Sequence, residues 1–172
     1  MKRRQFLSLG LQSVSLLSTL TLAPSLSVMA GTSLTTSQLG TLVSFIDTLI
    51  PPDETPSSSQ LGLDKVLLNH AQTIQNYTAL LILGCQWLDT QAIAMANMAF
   101  HQLQEEQRVR IVSLSETSQS GTIARQFFDH VKADLFSFYY AHPAIWPSLG
   151  LHGAPQPHGY LSYASQPRKL TK

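Results

Sequence analysis

The chain has 172 residues with a single cysteine, eleven Lys and Arg against ten Asp and Glu, and only 12% charged side chains, about half of the roughly 25% usual in soluble domains. That balance excludes a basic patch for nucleic acid or an anionic bilayer. One thiol excludes an internal disulfide framework, an iron–sulfur cluster held by this chain alone, and a c-type haem, which needs Cys-x-x-Cys-His.

The chain opens on Lys2-Arg3-Arg4-Gln5-Phe6-Leu7-Ser8, the pattern of a twin-arginine export signal, in which Arg3 and Arg4 are read by the translocase and Phe6 and Leu7 complete the motif. The apolar run from Phe6 to Leu22 is diluted by serine, glycine, glutamine and threonine, and it is short for a membrane span of about 20 apolar residues. Val28-Met29-Ala30 has the small-x-small form of a signal-peptidase site, which predicts cleavage after Ala30 and a periplasmic product. The alternatives are an ordinary secretory signal that happens to carry two arginines, or retention as an uncleaved anchor. Taking Lys2, Arg3 and Arg4 from the eleven basic residues leaves eight against ten acidic ones, so the exported domain is slightly acidic. Chains sent by the folded-protein route carry a cofactor inserted beforehand or travel with a partner that carries one.

From residue 31 to 141 the periodicity is helical nearly throughout. Leu39, Leu42, Val43, Ile46, Leu49 and Ile50 recur at three- and four-residue spacing, Thr36 or Ser37 can cap the start, and Pro51-Pro52 stops the helix. The run 52–59 is turn chemistry, since proline fixes φ and short polar side chains bond nearby backbone. A second helix begins between Leu61 and Asp64, with Leu63, Val66, Leu67, His70 and Ile74 on one face. A third covers Tyr77 to Leu88, apolar nearly all round and therefore the central element. The small, methionine-containing run 92–99 should pack closely on a neighbour. A fourth helix starts near Glu105-Glu106, with Val109 and Val112 inward and its acids near the positive N-terminal end. After a loop at 118–121, a last helix from Thr122 to Tyr140 presents Ile123, Phe127, Val131, Leu135, Phe138 and Tyr139. No stretch shows strand alternation and there is no internal repeat, so the fold class is all-α, an irregular bundle of five or six helices.

From 142 to 172 the character changes. His142-Pro143-Ala144-Ile145-Trp146-Pro147 and the following Gly150, Gly153, Pro155, Pro157, Gly159 and Tyr160 set aromatic anchors among residues that forbid a regular helix. Such a tail lies either on its own bundle or on a partner. Cys85, in an apolar helical run, is either buried and inert or paired with a cysteine of another subunit. His101 with Glu105 and His130 with Asp134 stand at i, i+4, but each pair offers only two ligands, so solvated or structural roles are expected. No Gly-x-Gly-x-x-Gly fingerprint, phosphate-binding glycine loop or Gly-x-Ser-x-Gly turn is present, and Asp53 and Glu54 read as turn residues rather than a catalytic pair. No catalytic, cofactor-binding or metal site is expected in this chain.

The run Ile46-Asp47-Thr48-Leu49-Ile50-Pro51-Pro52-Asp53-Glu54-Thr55-Pro56 resembles the first-helix signature of the gluconate 2-dehydrogenase subunit 3 family. The resemblance continues through Phe100, Leu103-Gln104-Glu105-Glu106-Gln107-Arg108, Phe127-Phe128, Tyr139-Tyr140, Pro143, Trp146, Leu149-Gly150 and Gly159-Tyr160 in the family's order, behind a similar leader. Ser57-Ser58-Ser59 departs from the common Pro-Gly-Ala, and 152–157 departs from the usual Gly-Gly-Asn style of loop. The resemblance implies a non-catalytic small subunit of a membrane-associated dehydrogenase complex. Its large partner, of the flavin-dependent glucose–methanol–choline type, would hold FAD and oxidise a sugar, sugar acid or polyol, and a cytochrome subunit with haem c would take the electrons. The small subunit would supply the export signal and help the large one fold or leave the cell. On side-chain chemistry, Tyr139, Tyr140, Pro143, Trp146, Gly150 and Tyr160 are the candidate partner-contact or tail-docking residues, with internal packing as the alternative for each. The rival from another class is an independent exported helical enzyme or metal-binding bundle.

Overall fold

A computed structural model describes residues 33–151. They form five α-helices, α1 (Thr36–Leu49), α2 (Leu63–Thr73), α3 (Tyr77–Ala96), α4 (Glu105–Thr117) and α5 (Ile123–Ala141), with short 3-10 helices at Phe100–Gln102 and Pro143–Leu149. Among the described residues there is no strand. The all-α bundle is thus the observed architecture, with α3 and α5 packed on each other at its centre and α1, α2 and α4 around them.

Each helix end has a local cause. Thr35, one residue before the expected caps, starts α1 through a capping box: its hydroxyl accepts from the Gln38 N–H, and the Gln38 amide oxygen accepts from the Thr35 N–H at 2.9 Å. Pro51-Pro52 follows its end. Gly62, at φ 69°, turns the chain into α2, and Thr122 caps α5 by accepting from the Arg125 N–H.

The core is assembled from the expected stripes, with three departures. In α2 the buried face is Leu63, Leu67 and Ala71, while Val66 is exposed and Ile74 leaves the helix in an extended conformation with its side chain outside. In α4, Ile111, Val112 and Ser115 are buried and Val109 is not. Ile123 at the start of α5 is also exposed. All four exposed apolar residues lie at the edge of a stripe or at a helix end, where an i, i+3 match alone does not place a side chain inside.

Helix α3 runs unbroken through Asp89 to Ala96, where the sequence suggested a boundary after Leu88. Asp89 points inward: its Oδ1 accepts from the Thr41 hydroxyl at 2.9 Å and from the Phe100 backbone N–H at 3.0 Å. One carboxylate thereby ties α3 to α1 and to the Phe100 turn. Beyond it only Ala92 is buried, and Ile93, at 55% exposure, and Met95 face outward. Gly84 permits the closest approach of the bundle, because Phe127 of α5 lies directly over it and stacks on Phe45 of α1 with ring centroids 4.7 Å apart.

Candidate functional site

The acidic, proline-containing loop after α1 is held by its own polar groups. Asp47, on the last turns of α1, accepts from the Ser59 N–H at 2.8 Å and from the Ser59 hydroxyl at 2.6 Å. Asp53 Oδ1 accepts from both the N–H and the hydroxyl of Thr55, each at 2.7 Å, an Asx-turn of the kind expected of this composition. These two hydrogen bonds hold the Asp53 carboxyl below its usual range. The Ser58 N–H donates to the Ile50 carbonyl at 3.4 Å and the Ser58 carbonyl accepts from the Leu63 N–H, so the serine run closes the path from α1 to α2. The Ser58 hydroxyl itself is buried and has no hydrogen-bond partner among the described residues.

At the other end of the chain, α5 brings Tyr139 to this loop. Its hydroxyl lies 2.7 Å from Thr55 Oγ1 and 3.0 Å from the Pro56 carbonyl oxygen. Because Thr55 Oγ1 already donates to Asp53, the single phenolic proton serves both oxygens as a three-centre donor. His142 then ends the helix, its Nδ1 accepting from the Ala144 N–H at 3.2 Å, and the chain folds back as the Pro143–Leu149 helix. Ile145 enters the core, and Gly150, at φ 73°, closes the turn. The described part of the tail is therefore docked on its own bundle, in a 3-10 form that accommodates Pro143 and Pro147.

Between the two segments lies a cleft of about 240 Å³ lined chiefly by Leu49, Ile50, Pro51, Phe136, Tyr140 and Leu149. Tyr140 is 54% exposed and Leu149 48%, and among the described residues Asp53 is the only carboxylate in the lining. The sequence candidates separate accordingly. Tyr139 is buried and works as the latch. Tyr140 is open to a partner and Trp146 is half-buried, while Pro143 and Gly150 are exposed and shape the short helix. Arg3, Arg4, Phe6, Leu7, Ala30 and Tyr160 lie outside the described residues. Sequence reasoning set Leu49 and Ile50 on the first helix's apolar stripe and did not single out Phe136 or Leu149 as contact residues, since a lining role shows only once the neighbours are placed.

Residues 36–153 match the family described as gluconate 2-dehydrogenase subunit 3. The chain belongs to the gluconate 2-dehydrogenase subunit 3 family. The match runs from the first residue of α1 past the end of the short C-terminal helix, so the latched loop and the cleft both fall inside the subunit 3 region. Neither a curated protein nor a solved structure matches the chain significantly.

His130 and Asp134 of this subunit 3 domain each have a local partner. His130 Nδ1 lies 2.9 Å from the Gln126 carbonyl oxygen, and Asp134 faces His70 of α2 at 3.7 Å rather than joining His130 in a ligand pair. The His70 ring is packed edge-on against Phe138. Among the described residues no group of three His, Cys, Asp or Glu side chains is placed to hold a metal ion. Cys85 is fully buried, and burial, with the nearby Asp89 charge second, pushes its thiol up to about 12. That position rules out the subunit-bridging disulfide entertained from sequence, since the sulfur does not reach the surface.

Proposed function

We propose that this protein is the non-catalytic small subunit of an exported, membrane-associated, flavin-dependent dehydrogenase complex that oxidises a sugar, sugar acid or polyol. It supplies the twin-arginine signal through Arg3, Arg4, Phe6 and Leu7, is cleaved after Ala30, and assists the folding and periplasmic delivery of a large glucose–methanol–choline-type subunit. FAD belongs to that large subunit and haem c to a cytochrome c subunit. The observation that carries the reading is the latched cleft: the family's first-helix signature and its closing aromatic segment, far apart in sequence, form one recess of mixed polar and apolar lining rimmed by Tyr140 and Leu149. Exposed aromatic and aliphatic groups around a recess are what a protein partner's anchor residues fill, and Tyr is enriched among such hot spots.

Co-expression with a flavin-dependent subunit of the glucose–methanol–choline type tests the proposal. The two chains are expected to co-purify, and replacing Arg3 and Arg4 by Lys is expected to leave both in the cytoplasm. Appearance of the large subunit in the periplasm despite that change would sink the co-export role, and turnover by the small subunit alone would sink its non-catalytic assignment.

A further inference from the structure

A second and larger cleft, about 400 Å³, opens beside the start of α3, on residues that the latched site does not use. Its walls are Ile74, Ala79, Leu80, Leu83 and Ile123, and three of these are exposed apolar side chains, Leu83 at 41%. Gln75 and Asn76 bring amides to its mouth, and three deeper groups, Gln126, His130 and Asp134, the last also facing His70 at 3.7 Å, offer acceptors. The Gln126 amide nitrogen donates to the Gly121 carbonyl at 3.1 Å, which leaves Oε1 open. The Nδ1 proton of His130 points at the Gln126 carbonyl, which leaves a lone pair on Nε2 in the neutral ring. Asp134 adds a carboxylate. The Tyr77 hydroxyl, on a residue only 3% exposed, lies beside Asp134 without a hydrogen bond of full geometry among the described residues, and burial first, then the neighbouring Asp134 carboxylate, push its pKa up.

Among the described residues no lysine or arginine lines this cleft. The nearby Arg125 is already paired with Asp129 at 2.8 Å and with the Glu116 carbonyl. A site with apolar walls, a carboxylate and further acceptors fits a donor-only group on an apolar stem, lysine or arginine, and of these the weakly hydrated, forked guanidinium suits a carboxylate beside large hydrophobes better. The positive end of α3 at Asn76 shares the mouth and offsets part of the Asp134 charge, so apolar contact must supply most of the affinity.

The chain contains such a segment in Arg3-Arg4-Gln5-Phe6-Leu7. We propose that in the uncleaved protein this segment occupies the cleft, with a guanidinium on Asp134 and Tyr77 and the Phe6 and Leu7 side chains against Leu80 and Leu83. The reach is sufficient. The described chain begins at Ser33 beside α1, whose Thr41 touches Asp89, and from Asp89 back to Tyr77 along α3 is about 18 Å at 1.5 Å per residue. The 26 residues from Leu7 to Ser33 span about 39 Å even if wholly helical. Docking would cover a basic, apolar motif until export or assembly releases it. The inference concerns the segment's contacts and does not depend on which machinery reads it.

Cysteine cross-linking in the full-length protein tests this. Phe6→Cys is combined with Leu83→Cys in the cleft, or with Met98→Cys, an exposed position beyond the far end of α3 and nearer the N-terminal entry point. Cys85, being buried, contributes no background. Under mild oxidation the Leu83 pair is expected to form an intramolecular disulfide about tenfold faster or more than the Met98 pair, since one tether gives both targets a similar effective concentration. Adding Arg3→Gln and Arg4→Gln is expected to remove that advantage. Equal or faster reaction at Met98, or a rate unchanged by the arginine substitutions, overturns the proposal. A disulfide-linked dimer as the main product also overturns it and places a neighbouring copy's segment in the cleft instead.

Discussion

Replacing Gly84 by Ala sets two effects of known size against each other. In an exposed helix interior the change is stabilising by about 1 kcal/mol, because alanine loses less backbone entropy on folding. At Gly84 the added Cβ would stand 2.7 Å from Phe127 Cε2 and closer still to Cδ2 and Cγ, where carbon atoms rest at about 3.5–4.0 Å. The ring must therefore retreat by more than an ångström. It cannot do so freely, since Phe127 is fully buried and stacked on Phe45 of α1. Overpacking of this kind costs about 1–3 kcal/mol or more, and loss of the Phe45 stacking adds roughly 0.5–1.5 kcal/mol. After subtracting the helix gain, G84A is expected to destabilise the domain by about 0.5–3.5 kcal/mol. Urea unfolding of the purified chain reads this as a lower midpoint at unchanged slope. A midpoint that rises would show that propensity prevails and that α3 and α5 do not approach as closely as described.

Other expectations follow from particular contacts. Asp89→Ala leaves the Phe100 N–H and the Thr41 hydroxyl without their shared acceptor and should cost about 3 kcal/mol in the same unfolding assay, with Asp89→Asn recovering part of it. Ser58→Ala removes a buried hydroxyl that has no partner among the described residues and should be neutral or stabilising by up to about 1 kcal/mol; a clear loss would mean the hydroxyl is satisfied. Tyr139→Phe forfeits one shared proton beside a cleft that water can enter and should cost about 1 kcal/mol. Tyr140→Ala, at an exposed position, should leave the unfolding midpoint unchanged while weakening co-purification of the large subunit. The Cys85 thiol titrates at about 9 when exposed and near 12 in the fold, so its contribution to stability is complete below about pH 9 and is lost as pH rises toward 12; native protein at pH 8 should resist a thiol reagent that labels the urea-unfolded chain at once.

The bundle was legible in the sequence because its stripes are long: Leu42, Phe45 and Ile46, or Phe127, Val131 and Leu135, repeat often enough that chance matches are few. The helix boundary drawn after Leu88 failed for a definite reason. An aspartate within an apolar run signals solvent or a cap to a pattern reader, whereas Asp89 is turned inward to satisfy groups on two other elements. Val66 and Val109 failed differently, since each has the spacing of a core residue but sits on a stripe's margin. At the candidate site, the sequence pointed to the proline loop and to the aromatic end of α5 separately. Their union through Tyr139 depends on the packing of α5 against α1 and α2, which no local pattern encodes. The acceptor character of the cleft at α3 was equally hidden, because it depends on which atoms of Gln126 and His130 are already engaged.

The Tyr139 latch joins atoms 84 residues apart, and this gives the cleft a place in time. A ribosome adding roughly 5–20 residues per second takes about 4–17 s to travel from Thr55 to Tyr139. During that interval the proline loop has been made while the other wall of the cleft does not yet exist. A nascent or truncated chain therefore presents no recess for a partner to fill, and only a finished domain does. Engagement of the large subunit would then double as a quality check, performed by geometry alone, that the small subunit has completed its fold.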